Sequence, residues 1–338
     1  MNPPAAGPRI VAIFFVLPSH VSSRKRPRID WLGSGALILA VVPLLLALSF
    51  GGSTYAWGSI EEIGLFAMTL VFGAAFLFIE SRAEAPTIPL DLFRNRIFTA
   101  SAIITFLTSM AMYGAILYIP LFVQTALGNT ASGSGVVLTP MMLGLIVVSI
   151  VSGQVLARTG HYKVLAVVGT AITVVGMLLL GQMNATTDTG IVARNMVVLG
   201  VGLGTSMALF TIVVQNAFPI ERLGVVTASL AFFRSIGGVV GVAVLGAIMT
   251  NRVTTEMTAG TSRAVATASG VSQVFIVAAG LTCVALIASF FLKEIPLRKT
   301  GHTRAQDLED EIGFEMGAGI GDELAAELVA DAEAAART

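Results

Sequence analysis

Charged side chains are scarce in this chain. They make up 12% of its 338 residues, against about 25% in an ordinary soluble domain, while hydrophobic residues make up 55%. The shortage is concentrated: residues 97–157 contain no Asp, Glu, Lys, Arg or His. No soluble fold needs so long an uncharged stretch, broken only by a glycine/serine turn. Lys plus Arg equals Asp plus Glu at 20 each, so no excess of positive charge points to a nucleic-acid partner. Cysteine is nearly absent, and a lone Cys283 excludes an internal disulfide. Histidine is rare too: His20, His161 and His302 all lie at or beyond the ends of apolar runs. HExxH, paired CxxC, Walker-loop and GxSxG patterns are missing. Neither a metal, a cofactor nor enzymatic chemistry is therefore expected. A cleavable signal peptide is not expected either, because the early apolar run 10–17 is short and ends at Pro18 without a small-residue cleavage site.

What is present is apolar sequence in lengths that fit a bilayer. A membrane-crossing helix needs about 20 apolar residues. Eight runs qualify, at residues 31–50, 63–79, 97–123, 135–156, 164–183, 191–217, 224–250 and 271–292. The second is short and is expected to extend a turn at each end. The composition thus predicts an all-α integral membrane protein, a bundle of about eight transmembrane helices. The run 10–17 is too short to span and reads as the remnant of a further helix.

Basic residues set the expected orientation. Arg24, Lys25, Arg26 and Arg28 precede the first full span, and Arg82, Arg94 and Arg96 follow the second. Arg158 and Lys163 follow the fourth, Arg222 the sixth, and Lys293, Arg298 and Lys299 the eighth. The alternate loops at 51–58, 128–134 and 184–190 hold no Lys or Arg. Only 251–270, with Arg252 and Arg263, breaks the pattern. The positive-inside rule places 22–30 and the C-terminus in the cytoplasm of a cell-membrane protein. Beyond residue 300 the composition turns acidic, which reads as a solvated tail. Four segments follow: a helix remnant at 1–21, two linking helices with their loops at 22–96, six helices at 97–292, and an acidic tail at 293–338.

Within the spans, Arg234 is the exception to the rule of no charge. It falls near mid-depth of the 224–250 run, where a charge costs roughly 3 kcal/mol by insertion scales. No carboxylate inside a predicted span is available to pair with it. Two readings stay open: a residue of a watery substrate pathway, or a structural Arg reaching for the cytoplasmic interface. Thr105, Ser109 and Tyr113 recur every four residues, with Gln124 further along, as a polar stripe lining a cavity or as donors of interhelical hydrogen bonds. Gly200, Gly202 and Gly204 lie mid-span with no preceding strand, so Gly200 and Gly204 read as helix-packing positions rather than a nucleotide loop. Gly237, Gly238 and Gly241 read the same way. Gly237 and Gly241 share a helix face, and in a transporter such a contact could be one that slides.

The chain also resembles a known group. The loop from Gly153 through Arg158 and Gly160 to Lys163 is similar to the G-x-L-x-D-R-x-G-R-K signature of the major facilitator superfamily, with Ala157 at the Asp position and His161 at the second Arg. The stretch 118–124 followed by 135–140 resembles the start of that family's second half, and Gly200–Gly204 its next glycine-rich helix. Phe233, Arg234, Gly237, Gly238, Gly241 and Gly246 resemble the penultimate helix of the fourteen-helix drug/proton antiporters of the QacA/EmrB type. The resemblance extends from about residue 2 to residue 292. It implies a partial major facilitator fold, with 97–292 as a three-plus-three inverted repeat and 31–79 as the extra helix pair. It implies export of small amphipathic or cationic drug-like compounds in exchange for protons, with Gly153, Arg158, Gly160 and Lys163 in a gating loop. The family's first helices, with their coupling carboxylate, have no counterpart here. The resemblance therefore reads as a C-terminal portion, a truncated product or one half of a split transporter partnered in the lipid bilayer by a separate N-terminal half.

Overall fold

A computed structural model describes residues 30–295, apart from residues 52, 53, 57, 84 and 85. The helix remnant at 1–21, nearly all of the basic loop at 22–30 and the acidic tail beyond 295 lie outside the described residues. Among the described residues every regular element is helical. Eight helices are long and apolar enough to cross a membrane. They are α1 (Trp31–Phe50), α2 (Ile60–Glu80), α3 (Arg96–Thr125), α4 (Thr139–Thr159), α5 (Tyr162–Gly181), α6 (Thr189–Asn216), α7 (Leu223–Thr258) and α8 (Arg263–Phe290). A 3-10 turn, Leu90–Arg94, leads into α3, and a short helix, Ala131–Val136, leads into α4.

The starts of the helices are written in their caps. Asp30 accepts the N–H of Gly33 at 2.8 Å, and Ser59 that of Glu62 at 3.2 Å. Asn95 accepts the N–H of Ile97 at 2.9 Å, and Asp188 that of Gly190 at 2.7 Å. Each satisfies a backbone donor that the first helical turn leaves free. Pro43 and Pro120 sit inside α1 and α3, as membrane helices tolerate.

Two boundaries differ from the apolar runs. α2 takes in Glu62 and Glu80, which the run 63–79 leaves outside, and both side chains are buried. α7 continues past residue 250 to Thr258, and α8 begins at Arg263, so the expected loop 251–270 shrinks to residues 259–262. The reason is that a helix can outlast its apolar stretch where polar side chains pair. Arg252 and Glu256 form an i,i+4 ion pair at 2.8 Å, and Arg252 and Glu256 both bond Ser269 of α8. Arg252, one of the two arginines that break the loop-charge pattern, is therefore neutralised on a helix end.

Six helices pack as two interleaved triplets, α3–α5 and α6–α8. The first helix of each triplet lies along the middle helix of the other: α3 on α7 and α6 on α4. The third helix of each lies along the first of the other, α5 on α6 and α8 on α3, and α5 meets α8. Exchanging one triplet for the other leaves this pattern unchanged. Because three is odd, α6 enters from the side opposite to α3. Two apolar cores fill the bundle, one toward each end. One centres on Phe122, Met141, Leu199 and Phe275, the other on Phe98, Tyr162, Phe210 and Leu230. The α1–α2 hairpin attaches through α1 to α7, over a small core of Ala36, Phe76 and Ile88 with Phe232 against it.

Candidate functional site

Between the two apolar cores the bundle turns polar, and Arg234 lies there. It is half-buried on α7. Its guanidinium donates to Thr211 Oγ1 of α6 at 3.4 Å, while that hydroxyl donates on to the carbonyl of Met207. Tyr113 of α3 is its electrostatic neighbour. Arg234 thus links α7 to α6, and its hydrogen-bond partner is a hydroxyl rather than a carboxylate.

The predicted polar stripe divides. Tyr113 is 39% exposed, whereas Thr105 and Ser109 are each 4% exposed and sit inside the bundle. Thr105 and Ser109 therefore do not share the exposure of Tyr113. The helix turns them toward the packed interior, where Thr105 Oγ1 has no hydrogen-bond partner. Gln124 is exposed further along α3 and donates to Ser134 Oγ at 2.8 Å. It stands three turns from Tyr113 and is not brought to Arg234.

Glycines set how closely the helices around Arg234 approach. A Cβ at Gly204 would lie 2.5 Å from the carbonyl oxygen of Leu145, and one at Gly200 would strike the backbone of Met141. Both belong to the α6–α4 contact, where Ser149 Oγ also donates to the Gly204 carbonyl at 2.9 Å. On α7, a Cβ at Gly237 would strike the backbone of Phe106, one at Gly241 would lie 2.7 Å from Met110 Cβ, and one at Gly238 2.6 Å from the ring of Tyr113. The Tyr113 ring therefore lies flush on α7 one turn from Arg234.

The loop motif forms a tight turn between α4 and α5. Gly160 has φ +71°, a conformation that favours glycine, and its N–H caps the Leu156 carbonyl at 2.9 Å. Arg158 is exposed and Lys163 half-buried. Gly153 has open space where a side chain would stand. Tyr162, between them in sequence, is buried; its hydroxyl donates to the Lys293 carbonyl and accepts the Ile295 N–H, which ties the start of α5 to the chain after α8.

Sequence reasoning missed a second feature on the same side. Rings stack edge-on in the order Phe232, Phe233, Phe93, Phe98 and Phe218, with centroids 5.4–6.1 Å apart. Asp91 and Arg222 form an ion pair at 2.7 Å, and the arginine bond holds the Asp91 carboxyl below the usual carboxylate range. Together these clamp the Leu90–Arg94 turn to the start of α7. The aromatic run in the sequence was the available signal. Among the described residues no group of three or more potential metal ligands comes together.

Eight apolar helices, six of them in interleaved triplets, make a multi-pass helical membrane bundle. Residues 78–242 match the Major Facilitator Superfamily. The multidrug transporter protein MdtP of Bacillus subtilis (strain 168) is 40% identical over 245 residues, 72% of this chain and 45% of that protein. The MFS-type transporter Rv1877 of Mycobacterium tuberculosis (strain ATCC 25618 / H37Rv) is 34% identical over 334 residues, covering 90% of this chain and 48% of its own length. The crystal structure of a bacterial homolog to the human lysosomal transporter Spinster, inward-facing and occupied, shares the fold at TM-score 0.51 and 13% identity, over 77% of this chain and 64% of that one. The chain belongs to the major facilitator superfamily. It spans about half the length of the curated relatives it matches.

Proposed function

We propose that this chain supplies one wall of a drug-export pathway. Helices α3–α8 are the second, six-helix half of a multidrug efflux antiporter, and α1 and α2 link it to a first half carried on another chain or elsewhere in the same protein. Amphipathic or cationic compounds leave in exchange for protons, across the cell membrane, with the loop at 158–163 and the C-terminus in the cytoplasm. The observation that carries the reading is the Arg234 site. A fixed positive charge sits at mid-depth between two apolar cores, with a half-exposed tyrosine one turn along. Intramembrane charges of this kind mark substrate or ion pathways, and an aromatic ring attracts cationic ligands. Gln124 adds a polar contact toward the outer end, and the tight turn from Arg158 to Lys163 is the gating loop. The relative named a multidrug transporter supports the substrate class.

Arg234→Ala in the assembled transporter tests the site. Dye efflux should be lost while membrane abundance on quantitative blots stays near wild type. Abundance falling in step with efflux would make Arg234 a packing residue, and wild-type efflux would refute the reading. A second reading has an observation of its own: the chain spans about half the length of the curated relatives it matches. On that reading the chain by itself moves no substrate.

A further inference from the structure

A second arginine stands apart from the Arg234 site, near the end of the bundle where α5 closes and α6 opens. Arg194 lies on α6, which begins at Thr189, and it is exposed. Neighbours in a helical sequence do not ordinarily face each other. Here Nε and Nη2 of Arg194 both donate to Oδ1 of Asn195, at 3.3 and 3.1 Å. Asn195 is 2% exposed, and its amide donates to the Leu179 carbonyl of α5 at 3.1 Å. The α5–α6 contact therefore fixes Asn195, and Asn195 fixes the guanidinium. With the Nε edge taken by one oxygen, the edge formed by Nη1 and Nη2 is left, and its N–H groups have no acceptor among the described residues.

The bracing also sets the depth of the charge. α5 ends at Gly181, just past Leu179, so at 1.5 Å per residue the two backbones that hold the guanidinium lie about 3 and 8 Å inside their helix ends. That is where the hydrocarbon of a bilayer gives way to headgroups. The surrounding surface is apolar: Ile191 and Val197 on α6 and Leu178 on α5 are exposed. The chain is described without a break from residue 86 to residue 295, and no carboxylate in that stretch pairs with Arg194. Asp91 is bound to Arg222 and Glu256 to Arg252. Asp188 accepts the Gly190 N–H. Glu221 follows the opposite end of α6, and Glu294 follows α8.

We infer that Arg194, braced by Asn195, is a binding site for the phosphodiester of an anionic membrane lipid. The free edge of a guanidinium presents two parallel N–H groups that match two phosphate oxygens. Because Asn195 already orients that edge, little side-chain freedom is lost on binding. The depth and the apolar surroundings select a lipid over a free anion: the headgroup meets Arg194, and the acyl chains lie on the face of Ile191 and Val197. The lipid thereby covers the α5–α6 seam at its end. The site does not depend on drug export, and none of its readouts involves transport.

Native mass spectrometry of the full chain, released from detergent with added phosphatidylglycerol, tests it directly. The wild type should hold one phosphatidylglycerol more firmly than any further lipid, and more firmly than phosphatidylcholine, whose own cation competes for the phosphate. Arg194→Gln should bind that lipid at least about fivefold more weakly. Arg194→Lys, which keeps the charge but not the fork, should fall between the two. Thermal unfolding gives the second readout. Without added lipid the exposed Arg194→Gln should melt with the wild type, which separates lost binding from lost fold. Added phosphatidylglycerol should then raise the wild-type midpoint more than that of the variant. Equal retention of phosphatidylglycerol by wild type and Arg194→Gln overturns the proposal. So does inorganic phosphate that displaces the lipid and raises the wild-type midpoint as far as the lipid does, which would make this a free-anion site.

Discussion

A guanidinium among apolar helices has five N–H donors to satisfy, and Arg234 directs one of them to Thr211 across the α7–α6 contact. Thr211→Val keeps the shape and removes the acceptor. A single hydrogen bond to a charged group is worth about 1.5–3 kcal/mol, so export should drop by roughly tenfold or more in a dye-efflux assay with abundance maintained. Arg234 was legible in the sequence because a lone charge stands out in a long apolar run, whether it serves a pathway or reaches for the interface. Thr211 was not, because a threonine in a membrane helix bonds its own backbone as readily as a neighbour. Glu62 and Glu80 flank the second apolar run, whose expected extension by a turn at each end takes them into α2, but their 1% and 3% exposure is not written in hydropathy. Glycines divide by surroundings that spacing cannot reveal. Gly204→Leu drives a side chain into the Leu145 backbone and should cost at least the 1–3 kcal/mol or so typical of overpacking, seen as lost membrane abundance. Gly153→Ala meets open space and should leave abundance unchanged.

Elements were legible wherever an apolar run of bilayer length met a cap, and α1 has the limits of its run, Trp31–Phe50. Their ends were less so, because hydropathy reports where lipid stops and not where the helix stops. Polar pairs such as Arg252 with Glu256 carry α7 beyond the bilayer-length run. The turn Leu90–Arg94 is the clearest case of structure invisible to hydropathy, since an ion pair and a file of edge-on rings hold it to α7. Its contribution has a defined pH dependence. Arg222 depresses the Asp91 carboxyl in the folded state, so the stabilisation is present above the unfolded value of about 3.9 and is lost as pH falls through the folded value. Both partners are substantially exposed, which limits the pair to about 1 kcal/mol or less and makes it salt-sensitive. The unfolding midpoint of Asp91→Asn should lie slightly below wild type at neutral pH, and the gap should close toward pH 3 or in high salt. A gap that persists in acid would assign the turn's stability to the rings alone.

At the scale of the whole molecule, helix count and alternating basic loops predict orientation, but how the helices pack is not written in hydropathy. The interleaving of α3–α5 with α6–α8 emerges only from the contacts between them. Orientation is open to labelling from outside sealed cells. The single Cys283 is exposed on α8, so it is first replaced by serine, and a cysteine is then placed at Thr159 in the α4–α5 turn. That cysteine should resist membrane-impermeant reagents, and ready labelling would reverse the topology. The central claim is that this chain forms one wall of an export pathway, since superfamily transporters carry substrate between two rocking halves. The measurement is uptake of a fluorescent cationic dye by liposomes containing the purified chain under an imposed pH gradient, with and without a separately expressed first half of the related transporter. No gradient-dependent movement by the chain alone, and saturable movement once the first half is added, is the predicted result. Saturable, gradient-dependent movement by this chain alone would contradict it.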